Sequence, residues 1–302
     1  LSFTSGLQAN PTGEQVVGGQ AQFARSGSNL VITQGTQRVI INWQDFSIGN
    51  GELTQFNQLS QNSAVLNRVV GSHLSEIHGR LQANGQVYLL NENGIIVGAQ
   101  GIIDTGGFIA STHQLSDRDF LAGGDLVWTP GHQGGAVINL GEISVTGGDV
   151  FLIADQVTNQ GSITASDGAV GLAAAAGAGV TLADSGAQRL LVKPSTSVTG
   201  LNGAVNEGSI TAVNAELKAA GGNVYALGIN NNGAIRATGV QNVGGRILLT
   251  SKGGGIKLGN DSRIDASGAE GGGQVNIGGS KLGNGSIDNA ADVFVDAGSE
   301  IA

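Results

Sequence analysis

The sequence predicts an all-β chain wound as a parallel β-helix, a solenoid with a β cap at its N-terminal end and short excursions outside the coil. Three observations carry this. A short unit, Asn-x-Gly-x-Ile, recurs as "NLGEISV" (139–145), "NQGSITA" (159–165), "NEGSITA" (206–212) and "NNGAIRA" (231–237), with a looser copy "NDSRIDA" (260–266). A second unit, Gly-x-Val/Ile-x-apolar, follows it as "GDVFLIA" (148–154), "GAVGLAA" (168–174), "GNVYALG" (222–228), "GRILLTS" (245–251) and "GQVNIGG" (273–279). Helical spacing of apolar residues is nearly absent, so a repeat of 20 to 28 residues built from short strands points to a coil of stacked rungs. A sandwich or barrel would show two-residue hairpin loops and no fixed period.

Each element has its own reason. Two short strands of alternating apolar residues sit in each copy, and Gly or Asn between them supplies corners of positive φ. Second-unit strands start 20 residues apart (Gly148, Gly168), then 23 (Gly222, Gly245), then 28 (Gly245, Gly273). An earlier copy, "GQVYLLN" (85–91), runs into "NENG" (91–94), a four-residue turn with Asn first and Gly last. Most aromatics, among them Phe23, Trp43, Phe46, Phe56, Tyr88, Phe108, Phe120 and Trp128, lie before residue 130. The N-terminal third therefore reads as the atypical end that covers the first rung. Residues 113–135 and 183–205 break the pattern and read as excursions from the coil. The division expected is 1–125 for the cap and first rungs, and 126–302 for further rungs of the same solenoid. Ending in mid-pattern at "VDAGSEIA", the chain reads as part of a longer repeat protein.

Composition narrows the function. Gly numbers 53 of 302 residues without a Gly-X-Y period, which excludes collagen, and 40% apolar residues argue against disorder. A net charge of -9, with no Lys/Arg cluster, speaks against nucleic-acid binding. With no Cys there is neither a disulfide framework nor a thiolate metal site, which fits a cytosolic protein and equally suits a chain that must stay unfolded through an oxidising periplasm. No apolar run approaches the ~20 residues that span a bilayer. Leu1 is not followed by a signal-peptide pattern, so any such peptide is absent from this sequence.

Catalytic and cofactor chemistry finds no constellation. His73, His78, His113 and His132 lack zinc spacing, and no nucleophile elbow or phosphate loop occurs. Asp117 and Asp119 in "SDRDF" are the nearest approach to the paired carboxylates of a glycoside hydrolase. No enzyme activity, metal or cofactor is expected. The sequons at Asn260 and Asn284 occur at a frequency near chance for so Asn- and Ser-rich a chain.

Four ordered stretches carry a likeness: "VIINWQDFSIG" (39–49), "NSAVLNRV" (62–69), "GRLQANGQVYLLNENGIIVG" (79–98) and "IIDTGGFIAST" (102–112). Together they resemble the filamentous-haemagglutinin-type secretion domain of two-partner secretion exoproteins, in particular its high-molecular-weight adhesin branch. The likeness covers about residues 10–125 and extends loosely over the repeats. It implies a right-handed β-helix that addresses the chain to a dedicated outer-membrane β-barrel transporter, whose periplasmic domains take the unfolded or extended chain. Folding outside the cell then helps to draw the chain across. The family's motif residues carry over as Asn62, Asn67 and Arg68 in the first block and Asn91, Asn93 and Gly94 in the second. The family's turn is Asn-Pro-Asn-Gly-Ile; here Glu92 stands in place of Pro. Proline at that position pre-sets φ but is not required, so the turn should survive.

The expectation is a secretion and folding-nucleation domain of a large surface adhesin: a secreted or cell-surface protein, monomeric, not membrane-spanning, with a transporter as partner and host-cell or matrix glycans as targets of the full-length protein. A polysaccharide-acting β-helix enzyme and a glycan- or host-ligand-binding module are the competing readings. Structural roles are favoured over transporter contact for each motif residue, with Arg68 pairing a nearby acid such as Glu76.

Overall fold

Why the Asn-x-Gly-x-Ile unit recurs is visible in the computed structural model, which describes residues 10–131, 134–183, 189–192, 203–219, 227–238, 245–285 and 287–302. Its Ile residues stack inward, each in register with the next: Ile143, Ile163, Ile210, Ile235 and Ile264. Its Asn side chains form a buried ladder. Asn139 donates to Asn159, Asn159 to Asn206 and Asn206 to Asn231, each at 2.8 Å, and Asn231 ends the run on Ser262 Oγ at 2.7 Å. Each Asn occupies the register position that Val97 and Ile77 hold in earlier rungs, so an amide ladder continues an apolar stack. The looser copy departs here: Asn260 is exposed and Ser262 takes its place in the ladder.

The repeat glycines answer to space rather than to φ. A Cβ on Gly161 or Gly208 would lie 2.0 Å from the carbonyl oxygen of the glycine one rung below. None of the repeat glycines Gly141, Gly161, Gly208 and Gly233 has a positive φ, nor does any Asn among the described residues. The expected left-handed corner is present at Gly147, with φ +83, but not at these repeat positions, where Gly clears the corner and Asn bonds across it.

Rungs have three faces. On the first, Leu53–Asn57, Arg80–Ala83, Ile102–Thr105 and Glu142–Val145 pair in parallel. On the second, Arg38–Trp43, Ala64–Val69, Gln86–Leu90, Gly107–Ser111 and Val150–Ala154 do the same. Ser75–Ile77, Ile95–Val97, Ala136–Asn139 and Gln156–Asn159 begin the third. One hydrophobic core runs down the axis from Leu30 to Ala266. The cap is antiparallel: Gln15–Gly18 lies against Arg38–Trp43, and Ala21–Ser26 against Asn29–Gln34. Phe23, Trp43 and Phe46 meet edge to face beneath it. The chain is a parallel β-helix with an antiparallel cap.

Spacing in the second unit holds in part. Val150 pairs Val170, 20 residues on, and Ile247 pairs Val275, 28 on. Between them the expected strand at 222–228 is displaced: residues 214–219 of strand Ser209–Ala219 fill that rung and pair Arg246–Ser251. Leu227–Asn231 joins the third face instead. Residues 220–226 lie outside the described residues.

The two excursions form one structure. Gln114–Leu115, Leu126–Thr129, Val180–Leu182 and Leu190–Val192 make a four-stranded antiparallel sheet. A six-residue helix, Asp117–Ala122, which the sequence reading missed, precedes the second strand. Its Ser116 cap accepts from Asp119 N at 3.0 Å. This flap lies over the second face and buries a satellite core that includes Ile40, Leu66, Tyr88, Ile109, Phe151, Phe120 and Trp128. The second excursion contributes strand Val180–Leu182 and so begins earlier than residue 183; residues 184–188 and 193–202 lie outside the described residues, and Ala204–Asn206 is back on the third face.

Candidate functional site

The two motif blocks converge on one corner of the early rungs. Asn67 sits inside the coil between Ile41 and Leu89, fully buried in an otherwise apolar stack. A buried amide there is tolerable only if hydrogen-bonded. Its Oδ1 accepts from Trp43 Nε1 at 2.9 Å and its Nδ2 donates to Tyr88 O at 3.2 Å. Asn67 therefore ties Trp43, in the coil strand beneath the cap, to the two rungs that follow.

Arg68, the next residue along the strand, points outward. Its guanidinium donates to Leu115 O at 2.9 Å and pairs with Asp117 at 2.6 Å. The partner expected from sequence, Glu76, instead lies 3.8 Å from His78. The reason is the excursion: returning over the second face, it brings Asp117 to Arg68 across 49 residues.

The second block is a stapled turn. Gly94 N donates to Asn91 O at 3.1 Å, closing Asn91–Gly94. Neither Glu92 nor Asn93 has a positive φ, which places the turn in the type I family. Asn91 is buried; its Nδ2 donates to His73 O at 2.9 Å and Ser75 Oγ at 3.0 Å, while its Oδ1 accepts from Asn93 N and Nδ2. Asn93 reaches Gly71 O at 3.1 Å, and Gly94 O accepts from Ser75 N at 3.0 Å. Gly94 itself has φ +122, with Ala136 O 3.3 Å from where a Cβ would be. Glu92, in the family's Pro position, accepts from Gln114 on the excursion at 2.8 Å.

Arg68, Val69, Gly71, Glu92, Asn93 and His113 line a shared groove of about 220 Å3. Asn62 does not join it: it is exposed at a turn, where its backbone N–H donates to Ser60 Oγ at 3.3 Å. Two residues at the root of the excursion were not singled out by sequence. His113 is buried with Nε2 3.5 Å from Asp155 Oδ1. Burial opposes the charge on Asp155, but the close His113 imidazole and hydrogen bonds from Gly134 and Gly177 N–H prevail and hold its pKa below the ordinary carboxylate value. His132 lies outside the described residues. Among the described residues no cluster of His, Asp and Glu has metal-site geometry, and no helix is long and apolar enough to cross a membrane.

This architecture and these motifs have known relatives. The TPS secretion domain family matches residues 7–277. The chain belongs to that family. It is 35% identical over 267 residues to a haem/hemopexin-binding protein of Haemophilus influenzae (strain ATCC 51907 / DSM 11121 / KW20 / Rd), covering 84% of this chain and 28% of that protein. Among solved structures, the HMW1 secretion domain from Haemophilus influenzae superposes with a TM-score of 0.74 at 30% identity, over 96% of this chain and 83% of that one. The filamentous haemagglutinin secretion domain, 17% identical with a TM-score of 0.52 over 93% of this chain and 99% of that one, shares the fold. This is a secretion domain of the two-partner type, in a family of exported proteins that work with a partner transporter rather than a family of enzymes. The chain spans about a quarter of the length of the curated relative it matches.

Proposed function

We propose that this TPS domain directs its exoprotein, a large surface adhesin, through an outer-membrane β-barrel transporter, and that its motif residues act by making the fold. Burial carries the reading. Asn67 and Asn91 are enclosed and their amides hydrogen-bonded, so a partner has no access to them once the domain has folded. The transporter's periplasmic domains then take the chain while it is extended. Residues 1–125 hold the export motifs and the first rungs, and 126–302 continue the same solenoid as a monomer exposed at the cell surface or released. Host-cell or matrix glycans are targets for the full-length protein. The enzyme reading loses its best candidates, because Asp117 is committed to Arg68 and Asp119 lies in the helix it starts.

The test is export of a passenger fused after Ala302 in cells expressing the transporter. Removing residues 1–125 abolishes surface display. Asn67→Ala slows refolding of the purified domain and lowers export together, whereas Asn62→Ala leaves both near wild type. An Asn67→Ala domain that refolds normally yet is not exported would show direct reading of the motif and overturn the proposal.

A further inference from the structure

A slot of about 330 Å3 lies between the flap and the second face of the coil. Its floor follows one outward column of that face: Arg38, Ala64, Gln86 and Gly107 are successive register partners, and Phe108 N bonds Asp149 O at the next strand. Gly107 contributes no side chain, so the column is hollow between Gln86 and Asp149. Four strand spacings separate Arg38 from Asp149, roughly 19 Å, which makes the slot elongated. Leu126 and Leu182 of the flap roof it.

Its polar groups are incompletely used. Arg38 donates to Phe120 O at 2.7 Å and lies 5.2 Å from the Phe120 ring, and it pairs with no carboxylate among the described residues. A guanidinium has five donors in a planar fork suited to a carboxylate. Gln86 Oε1 accepts from Tyr88 at 3.4 Å, and its Nε2 has no partner among the described residues. At the far end Asp149 accepts from Ala169 N and pairs with Arg189, both at 2.8 Å. The slot thus carries a net positive charge at the Arg38 end in a chain of net charge -9.

We propose that the slot binds a sugar acid. The carboxylate of a hexuronate-type unit meets Arg38, the cation of the slot that lacks a carboxylate partner among the described residues, and its hydroxyls meet Gln86 and the ion-paired Asp149 and Arg189 at the far end. The volume is at the small end of ligand pockets, enough for about one or two sugar units. A neutral sugar leaves Arg38 without its counter-charge, and a bare oxyanion leaves the hydroxyl partners unused. This site is independent of the export role.

Isothermal titration calorimetry of the purified domain tests it with glucuronate, glucose and inorganic phosphate. Glucuronate binds saturably and glucose does not. Arg38→Gln removes the guanidinium charge and weakens glucuronate at least about tenfold, a loss of about 1.4 kcal/mol. Gly107→Ser, whose Cβ would meet Gln86 and Asp149 at ordinary contact distances of 3.4 and 3.5 Å, fills the slot and weakens binding with an unchanged thermal midpoint. Absence of saturable glucuronate binding, phosphate binding as tightly as glucuronate, or full affinity in the folded Gly107→Ser variant would each overturn the assignment.

Discussion

At the scale of single residues, the Asn91–Gly94 turn separates what a motif spells from what it does. Asn91, Asn93 and Gly94 each make bonds or a φ that few other residues allow, while Glu92 bonds Gln114 at the surface of the excursion. Gly94→Val puts a β-branched residue at φ +122 beside Ala136 O and should cost about 1–3 kcal/mol, read as a lower urea midpoint and reduced export. Glu92→Pro loses the Gln114 bond and gains a stiffer unfolded chain, so stability stays within about 1 kcal/mol and export changes little. A large gain in export from Glu92→Pro would mean that the transporter reads the proline itself.

At the scale of elements, the Asn ladder and the glycine column are one device seen from two sides. The inner amides, Asn159 and Asn206, have donor and acceptor filled by neighbours a rung away, so removing either disturbs two others. Asn159→Ala should destabilise by about 1–3 kcal/mol, because Asn206 Oδ1 loses its Asn159 donor and Asn139 Nδ2 falls back on Ser162 O at 3.3 Å. Gly161→Ala should cost at least as much, because its Cβ meets backbone 2.0 Å away rather than a movable side chain. Thermal or urea unfolding checks both. An Asn159→Ala domain as stable as wild type would mean that water replaces the ladder.

At the scale of the molecule, the flap turns an open coil face into a second core and is pinned to the coil by side-chain ties. Arg68 holds Leu115 and Asp117. Buried Glu216 accepts from Arg189 N and Leu190 N, at 2.8 and 3.1 Å, and Lys218 donates to Leu190 O at 2.5 Å, so two side chains do the work of a strand ladder. Asp155 with His113 holds the root. Because Asp155 has a lowered pKa in the fold, its contribution is present above the ordinary carboxylate value of 3.8 and is lost as pH falls through the folded value. Asp155→Asn should therefore be less stable than wild type at neutral pH, with the gap closing as the pH drops below 3.8. An unchanging gap in thermal midpoint across that range would show that the carboxylate's charge is not what holds the root.

Local pattern was enough to announce the solenoid. Asn-x-Gly-x-Ile repeats on a rung's own length, and each of its positions has a rung-level duty, so the coil, its inward stacks and the motif turn could be read along the chain. Continuous apolar runs such as "VFLIA" (150–154) carried a further signal, since a strand buried on one face alternates and these do not. Asn67 and Arg68 were nameable but their partners were not: Trp43 is 24 residues away and Asp117 is 49. Which rung the strand of residues 214–219 fills, that two irregular stretches build one sheet, and that Arg38, Gln86 and Asp149 share a slot were all decided by stacking. Sequence fixes what repeats within a rung because those forces act between near neighbours. What covers the coil depends on excursions of unequal length returning to a common face, and only the folded chain settles where they meet.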